Sequence, residues 1–315
     1  MHVIEHLEKA SDPLFSFELV PPPRGASLNA IIEIVEALAP LQPPWIDVTS
    51  HSSTTYYRER PDGALERKTF RKRPGTLGIC GIIQNRFRID TVAHVLCLGF
   101  TREETEDALI ELNFMGIHNV LALRGDQPNF QKEVRRDRTV NQYAAELVQQ
   151  IGDLKTGKFL EDMEGSHPLS FCIGVAGYPE KHFESPNLRL DVSYLKKKID
   201  AGAQYIVSQM FFDNQKFFRF VELCREAGIT VPIIPGLKVI RSLSQLKTLP
   251  RTFHIDLPDD LVGEVIASPD HVEEIGAKWA HRQSLELLEY GCPGLHYYVL
   301  NDAKVVVDLV KKLKK

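Results

Sequence analysis

Eight short segments of nearly unbroken apolar character constrain this chain most: LFSFELV (14–20), WIDVTS (45–50), VAHVLCL (92–98), NVLALR (119–124), LSFCIGVA (169–176), QYIVSQ (204–209), VPIIPG (231–236) and GLHYYVL (294–300). They do not alternate strictly, as strands with one wet face would, so they read as parallel strands covered on both sides. Helical patterns separate them. TREETEDALIELNFMG (101–116) opens on a capping box of Thr101 and Glu104, brings Ala108, Leu112 and Met115 to one face and stops at Gly116. NQKFFRFVELCREAG (214–228) aligns Phe217, Val221 and Cys224 and ends at Gly228. Strands alternating with helices eight times predict an α/β fold, a (β/α)8 TIM barrel that takes residues 1–315 as one domain. A doubly wound sheet is the alternative. No GxGxxG follows a strand, however, so a dinucleotide would not be held in the Rossmann manner.

Two stretches break the repeat. Residues 51–75 carry seven Arg or Lys against three acids and are expected to form a long basic loop, and 152–168 is a polar connection. A formal charge of -4 gives no reason to expect nucleic acid as a partner. The N-terminus MHVIEHLEKA lacks the basic start and apolar core of a signal peptide, and no apolar run is long enough to span a membrane, so a cytoplasmic location is expected. Cys80, Cys97, Cys172, Cys224 and Cys292 show no CxxC spacing, which argues against a structural zinc and a disulfide framework. They read as buried hydrophobes, and no metal is expected.

In a barrel of this kind, chemistry gathers where strands end. Those ends are polar here: Glu18, then Thr49 and Ser50, His94 within the third segment, Arg124-Gly125-Asp126, the GYPEKH stretch with Tyr178 and His182, Gln209 and Asn301. Each has a plain structural reading, Glu18 as a salt-bridged acid, His94 as a satisfied core histidine, Gln209 as a sheet-end cap. An isolated buried carboxylate is nevertheless costly. No histidine pair at zinc-protease spacing, GxSxG or Walker sequence is present. What remains is two carboxylates, Glu18 and Asp126, suited to proton transfer or cation stabilisation at a barrel mouth. Redox or one-carbon chemistry would come from a bound cofactor.

The segments FSFELVPPP, HVLCLGFT, NVLALRGDQP, GYPEKH, DAGAQYIVSQMFFD, VPIIPGL and GLHYYVLN, in this order, resemble the successive signatures of methylenetetrahydrofolate reductases over nearly the whole chain. The resemblance implies a barrel that reduces 5,10-methylenetetrahydrofolate to 5-methyltetrahydrofolate with NADH or NADPH through bound FAD, by ping-pong turnover. It makes Glu18 the general acid and Asp126 the carboxylate beside flavin and pterin. Thr49, Ser50, His94, Arg124, Gly125, Asp126, Tyr143, Ala144, Tyr178, His182, Asp191, Tyr194 and Lys198 match cofactor contacts. Asp126, Gln209, Gln245 and Tyr298 match substrate contacts. Asp302 departs from the family pattern, which often has arginine after the asparagine, and the basic 51–75 stretch is longer than in the shortest members. The resemblance is to the short form, so no regulatory domain is expected. A pterin-binding methyltransferase and a non-catalytic folate-binding partner of a one-carbon complex stay open as alternatives, as does homo-oligomerisation. Small molecules are the partners expected.

Overall fold

The computed structural model describes residues 1–70, 73, 75–125, 138–300 and 302–314. Its strands are β1 (Leu14–Leu19), β2 (Trp45–Val48), β3 (Thr54–Glu59), β4 (Leu65–Phe70), β5 (Asp90–Leu96), β6 (Asn119–Leu123), β7 (Cys172–Gly177), β8 (Tyr205–Ser208), β9 (Ile233–Ile234), β10 (Gly236–Leu237) and β11 (Gly294–Leu300). All but β3 and β4 join one parallel sheet in the order β10-β11-β1-β2-β5-β6-β7-β8-β9. β9 and β10 are two halves of one stave, parted by Pro235, which has no N–H to give to a ladder. The Pro235 carbonyl instead accepts the His296 N–H at 3.0 Å. The ring closes through this stave, and the fold is the expected α/β barrel of eight staves.

Outside the ring lie α2 (Asn29–Leu38), α3 (Thr76–Ile82), α4 (Arg102–Phe114), α5 (Ala144–Lys155), α6 (Leu188–Asp200), α7 (Asn214–Glu226), α8 (Gln245–Phe253), α9 (Asp259–Ala267), α10 (Val272–Glu289) and α11 (Lys304–Leu313). The α4 capping box forms as the sequence implies: Glu104 N–H donates to Thr101 Oγ1 and Thr101 N–H to Glu104 Oε2. Phe217 and Cys224 of α7 are buried against the barrel. The large core cluster lies between staves and helices, where the outward residues of β1, Phe15, Phe17 and Leu19, meet Ile31 and Val35 of α2.

Within the ring, Trp45, Val92, Leu121, Cys172, Tyr205, Val207 and Ile234 form an apolar lower layer. An N-terminal helix unforeseen in the sequence, α1 (Val3–Lys9), closes its floor with the fully buried Val3. Two hydrogen bonds with Asn119 anchor it, Val3 N–H to Oδ1 and Nδ2 to the Met1 carbonyl, both 2.9 Å. The expected loop at 51–75 is instead largely a hairpin, β3 paired antiparallel with β4 from Thr54↔Phe70 to Glu59↔Leu65. Its turn is closed by Arg60 N–H to the Ala64 carbonyl and Gly63 N–H to that of Arg60. The polar connection expected from 152 begins inside α5, which runs to Lys155.

Candidate active site

Period two carries side chains of one strand alternately into and out of the ring. Ser16 and Glu18 of β1 therefore share the inner face, and the register sets Glu18 beside Asp47 of β2 and Tyr298 of β11, and Ser16 beside His296. His94 of β5 completes a buried polar layer above the apolar one. His94 Nε2 hydrogen-bonds Asp47 Oδ2 at 3.3 Å and lies 3.6 Å from Glu18 Oε2. His296 Nδ1 bonds Ser16 Oγ at 2.9 Å and lies 3.8 Å from Asp47 Oδ1, while its Nε2 stands 4.0 Å from Glu18 Oε2.

Electrostatics divide these groups. Burial pushes the Glu18 carboxyl up to about 7; His94 draws it down and Asp47 pushes it further up. Burial opposes charge on His94, but its hydrogen bond to Asp47 and the charges of Glu18 and Asp47 outweigh that, so its pKa lies above the ordinary histidine value. His296 is shifted the other way by burial, against the pull of Asp47. The layer thus contains a carboxyl that holds its proton near neutrality, beside an imidazole that prefers to be charged. Lys238, just past β10, donates to the Tyr298 carbonyl at 2.7 Å, and burial lowers its ammonium to about 8. Tyr298 Oη donates to the Ser208 carbonyl at 2.6 Å.

A second group lies at the ends of β6 and β7 and on α6. The Arg124 guanidinium pairs with Glu184 and stands 5.3 Å from the Tyr143 ring centre, and its buried Nε has no acceptor among the described residues. Gly125 takes φ +90, a conformation L side chains rarely adopt, with Leu96 packed on the side where a Cβ would project. Tyr178 and His182 meet edge to face at 4.9 Å. Asp191 accepts from Ser185 Oγ at 2.7 Å and the His182 N–H at 3.1 Å. Lys198, one helical face along, donates to the Ala176 carbonyl at 2.9 Å, and its burial brings the ammonium down to about 8.

The sequence-predicted residues therefore fall into two neighbourhoods. Glu18, His94 and Tyr298 stand in the polar layer; Thr49, at the end of β2, has its hydroxyl 3.0 Å from His51 Nε2. Arg124, Gly125, Tyr143, Tyr178, His182, Asp191 and Lys198 form the corner. Ala144 is buried at the start of α5; Tyr194 is exposed on α6, with the Lys197 ammonium 5.2 Å from its ring centre. Gln209 Oε1 accepts the Met210 N–H and Gln245 Oε1 the Arg241 N–H, so both amides brace the backbone. Ser50 is half-buried beyond β2. Asp126 and Asn301 lie outside the described residues. Asp302, the departure from the family pattern, pairs with Arg241 at 2.5 Å, and Arg241 also meets Glu273 at 3.0 Å. Reading strand ends missed Asp47 and His296, although each is a polar residue inside an apolar strand. Among the described residues, no group of His, Cys, Asp and Glu is placed to hold a metal ion.

The methylenetetrahydrofolate reductase family model matches residues 3–314. A probable methylenetetrahydrofolate reductase (NADPH) of Caenorhabditis elegans is 28% identical over 98% of this chain and 43% of its own length. A probable NADH counterpart from Oryza sativa subsp. japonica is 30% identical, with 99% and 50% covered. The chain thus spans about half the length of these relatives, but 86% of the 5,10-methylenetetrahydrofolate reductase of Pectobacterium carotovorum, at 28% identity over 92% of this chain. Among solved structures, an uncharacterized protein from Clostridium thermocellum that binds two copies of 5-methyl-5,6,7,8-tetrahydrofolic acid superposes with a TM-score of 0.61 at 14% identity, over 99% of both chains, a likeness of fold.

Proposed function

The chain belongs to the methylenetetrahydrofolate reductase family, and from that premise we propose that it reduces 5,10-methylenetetrahydrofolate to 5-methyltetrahydrofolate with NADH or NADPH, using bound FAD. The observation that carries this reading is Glu18: a buried carboxyl at the C-terminal end of a barrel strand, pushed up to about 7. A carboxyl protonated at neutral pH can donate to N10 of the substrate, which must gain a proton before the imidazolidine ring opens. Ring opening leaves a cationic iminium on the folate, and we assign its stabilisation to the Asp126 carboxylate. Gln209, Gln245 and Tyr298 are assigned to the folate.

The corner fits a flavin dinucleotide on its own chemistry. Arg124 has a buried N–H without an acceptor among the described residues, Lys198 supplies a second cation, and Tyr143, Tyr178 and His182 offer flat surfaces. Arg124, Gly125, Asp126, Tyr143, Ala144, Tyr178, His182, Asp191, Tyr194 and Lys198, with Thr49, Ser50 and His94 from the adjoining staves β2 and β5, would hold it. When bound, FAD supplies hydride transfer in two halves, from nicotinamide and then to the one-carbon unit. The absorbance spectrum of the purified protein, alone and titrated with FAD, tests the assignment. Saturable binding near one FAD per chain that weakens in Arg124→Ala and Lys198→Ala is expected; a folded protein that takes up no flavin contradicts it and favours a flavin-free pterin-binding barrel.

A further inference from the structure

Asp47 is the most buried acid of the polar layer and was not among the site residues read from the sequence. On β2 it lies at the same level as Glu18 on β1, and the two carboxylates face one imidazole nitrogen. His94 Nε2 can carry a single hydrogen. It is 3.3 Å from Asp47 Oδ2, within hydrogen-bonding distance, and 3.6 Å from Glu18 Oε2, outside it. We propose that Asp47 is a positioning residue for the acid step: it takes the Nε2–H of His94 for itself and so weakens the hold of the His94 cation on Glu18. The role rests on the reductase reading above; the placement of the proton does not.

The chemistry turns on competition. In water imidazole is a stronger base than a carboxylate by about two pH units. Where their mutual attraction outweighs the cost of burying both charges, a carboxyl and a histidine with one proton to share place it on the histidine, as an ion pair. Glu18 would then be an anion with nothing to donate. Asp47 prevents this by neutralising His94 from the other side, and its own charge repels a charge on Glu18. The surrounding groups do not replace it. His296 hydrogen-bonds Ser16 and is held toward its neutral form by burial, and Tyr298 Oη is committed to the Ser208 carbonyl. The Lys238 ammonium donates to the Tyr298 carbonyl, and its charge draws Glu18 down rather than up. Tyr205, from β8, and Cys80, from α3, feel the charge of Asp47 as buried groups held in their neutral forms.

An infrared pH titration of the protonated-carboxyl stretch tests the placement in the purified protein without substrate. The wild-type chain should show a band that titrates near pH 7 and disappears in Glu18→Gln. In Asp47→Asn and Asp47→Ser its midpoint should fall by at least one pH unit, and Asp47→Glu, which keeps the charge, should restore most of the shift. In turnover, the pH limb of the folate half-reaction should move by the same amount, with flavin reduction by nicotinamide unmoved. A midpoint that stays or rises when the Asp47 charge is removed overturns the proposal, as does activity lost equally at every pH. Should neither neutral variant fold, the wild-type chain decides through its His94 imidazole nitrogen resonances. A cationic ring where Glu18 is protonated supports Asp47 as its partner, and a neutral ring there contradicts it. A shifted titration in a protein without reductase turnover sinks the reductase reading and upholds the placement of the proton.

Discussion

Glu18 couples the proposed chemistry to stability, and the sign can be worked out. Its carboxyl titrates at about 7 when folded against an ordinary 4.5. Between those values the native state holds a proton that the unfolded state has released, so stability falls as pH rises through this window and the loss is complete above 7. Glu18→Gln removes the penalty. Relative to wild type the variant should gain stability from pH 5 to pH 8, by at most about 3 kcal/mol, measured by urea unfolding at both values. A pH-independent difference would contradict a buried, titrating Glu18. The same variant should slow the folate half-reaction by roughly 100- to 10,000-fold and leave flavin reduction by nicotinamide near wild type. Glu18 was readable in the sequence because a carboxylate between Phe17 and Leu19 is conspicuous. Asp47, between Ile46 and Val48, carried the same signal, but only the register across β1 and β2 brings it to Glu18, and register is a property of the closed ring.

The barrel strands and their covering helices were readable, and the solvated hairpin and the short floor helix were hidden. The barrel strands show in the sequence because both sides of each are covered. β3 and β4 form a solvated ribbon with Tyr57 and Leu65 exposed, so no apolar pattern set them apart from a loop. Inside the hairpin Lys68 meets Glu66 at 2.8 Å and Arg60 meets Asp62 at 3.8 Å, which leaves the excess of positive charge over 51–75 in place. Such exposed pairs contribute little to stability. Three helices rather than one fill the connection before β11, and α10 fixes the segment carrying Lys238 and Arg241 by close backbone contact. A Cβ added at Gly276 would stand 1.9 Å from the Ile240 carbonyl oxygen, whereas at Gly263 in α9 it would meet nothing within 4 Å. Opposite signs follow. Gly276→Ala should cost about 1–3 kcal/mol or more, because backbone must move. Gly263→Ala should gain up to about 1 kcal/mol from helix propensity. Thermal unfolding of the two variants checks both, and equal effects would refute the packing of α10 on Ile240.

Across the molecule the barrel separates stability from chemistry along its axis. The floor is closed by α1 and an apolar layer, and the polar layer and the Arg124–Lys198 corner lie toward the strand ends. This polarity is what the alternation of strands and helices implied, and it is why strand ends were informative while the floor helix, seven residues long, was not. The pairing of Arg241 with Asp302 shows the limit of motif reading: a substitution after the asparagine is understood only beside a residue sixty-one positions away. Whether the two neighbourhoods act as one site is decided by a single turnover. The protein loaded with FAD is reduced anaerobically by one equivalent of NADH or NADPH and mixed at pH 7 with 5,10-methylenetetrahydrofolate, and the folate product is quantified by mass. The expected result is close to one 5-methyltetrahydrofolate per chain with return of the oxidised flavin absorbance. A flavin that stays reduced in the presence of the folate, with no methyl product, would contradict the reductase assignment.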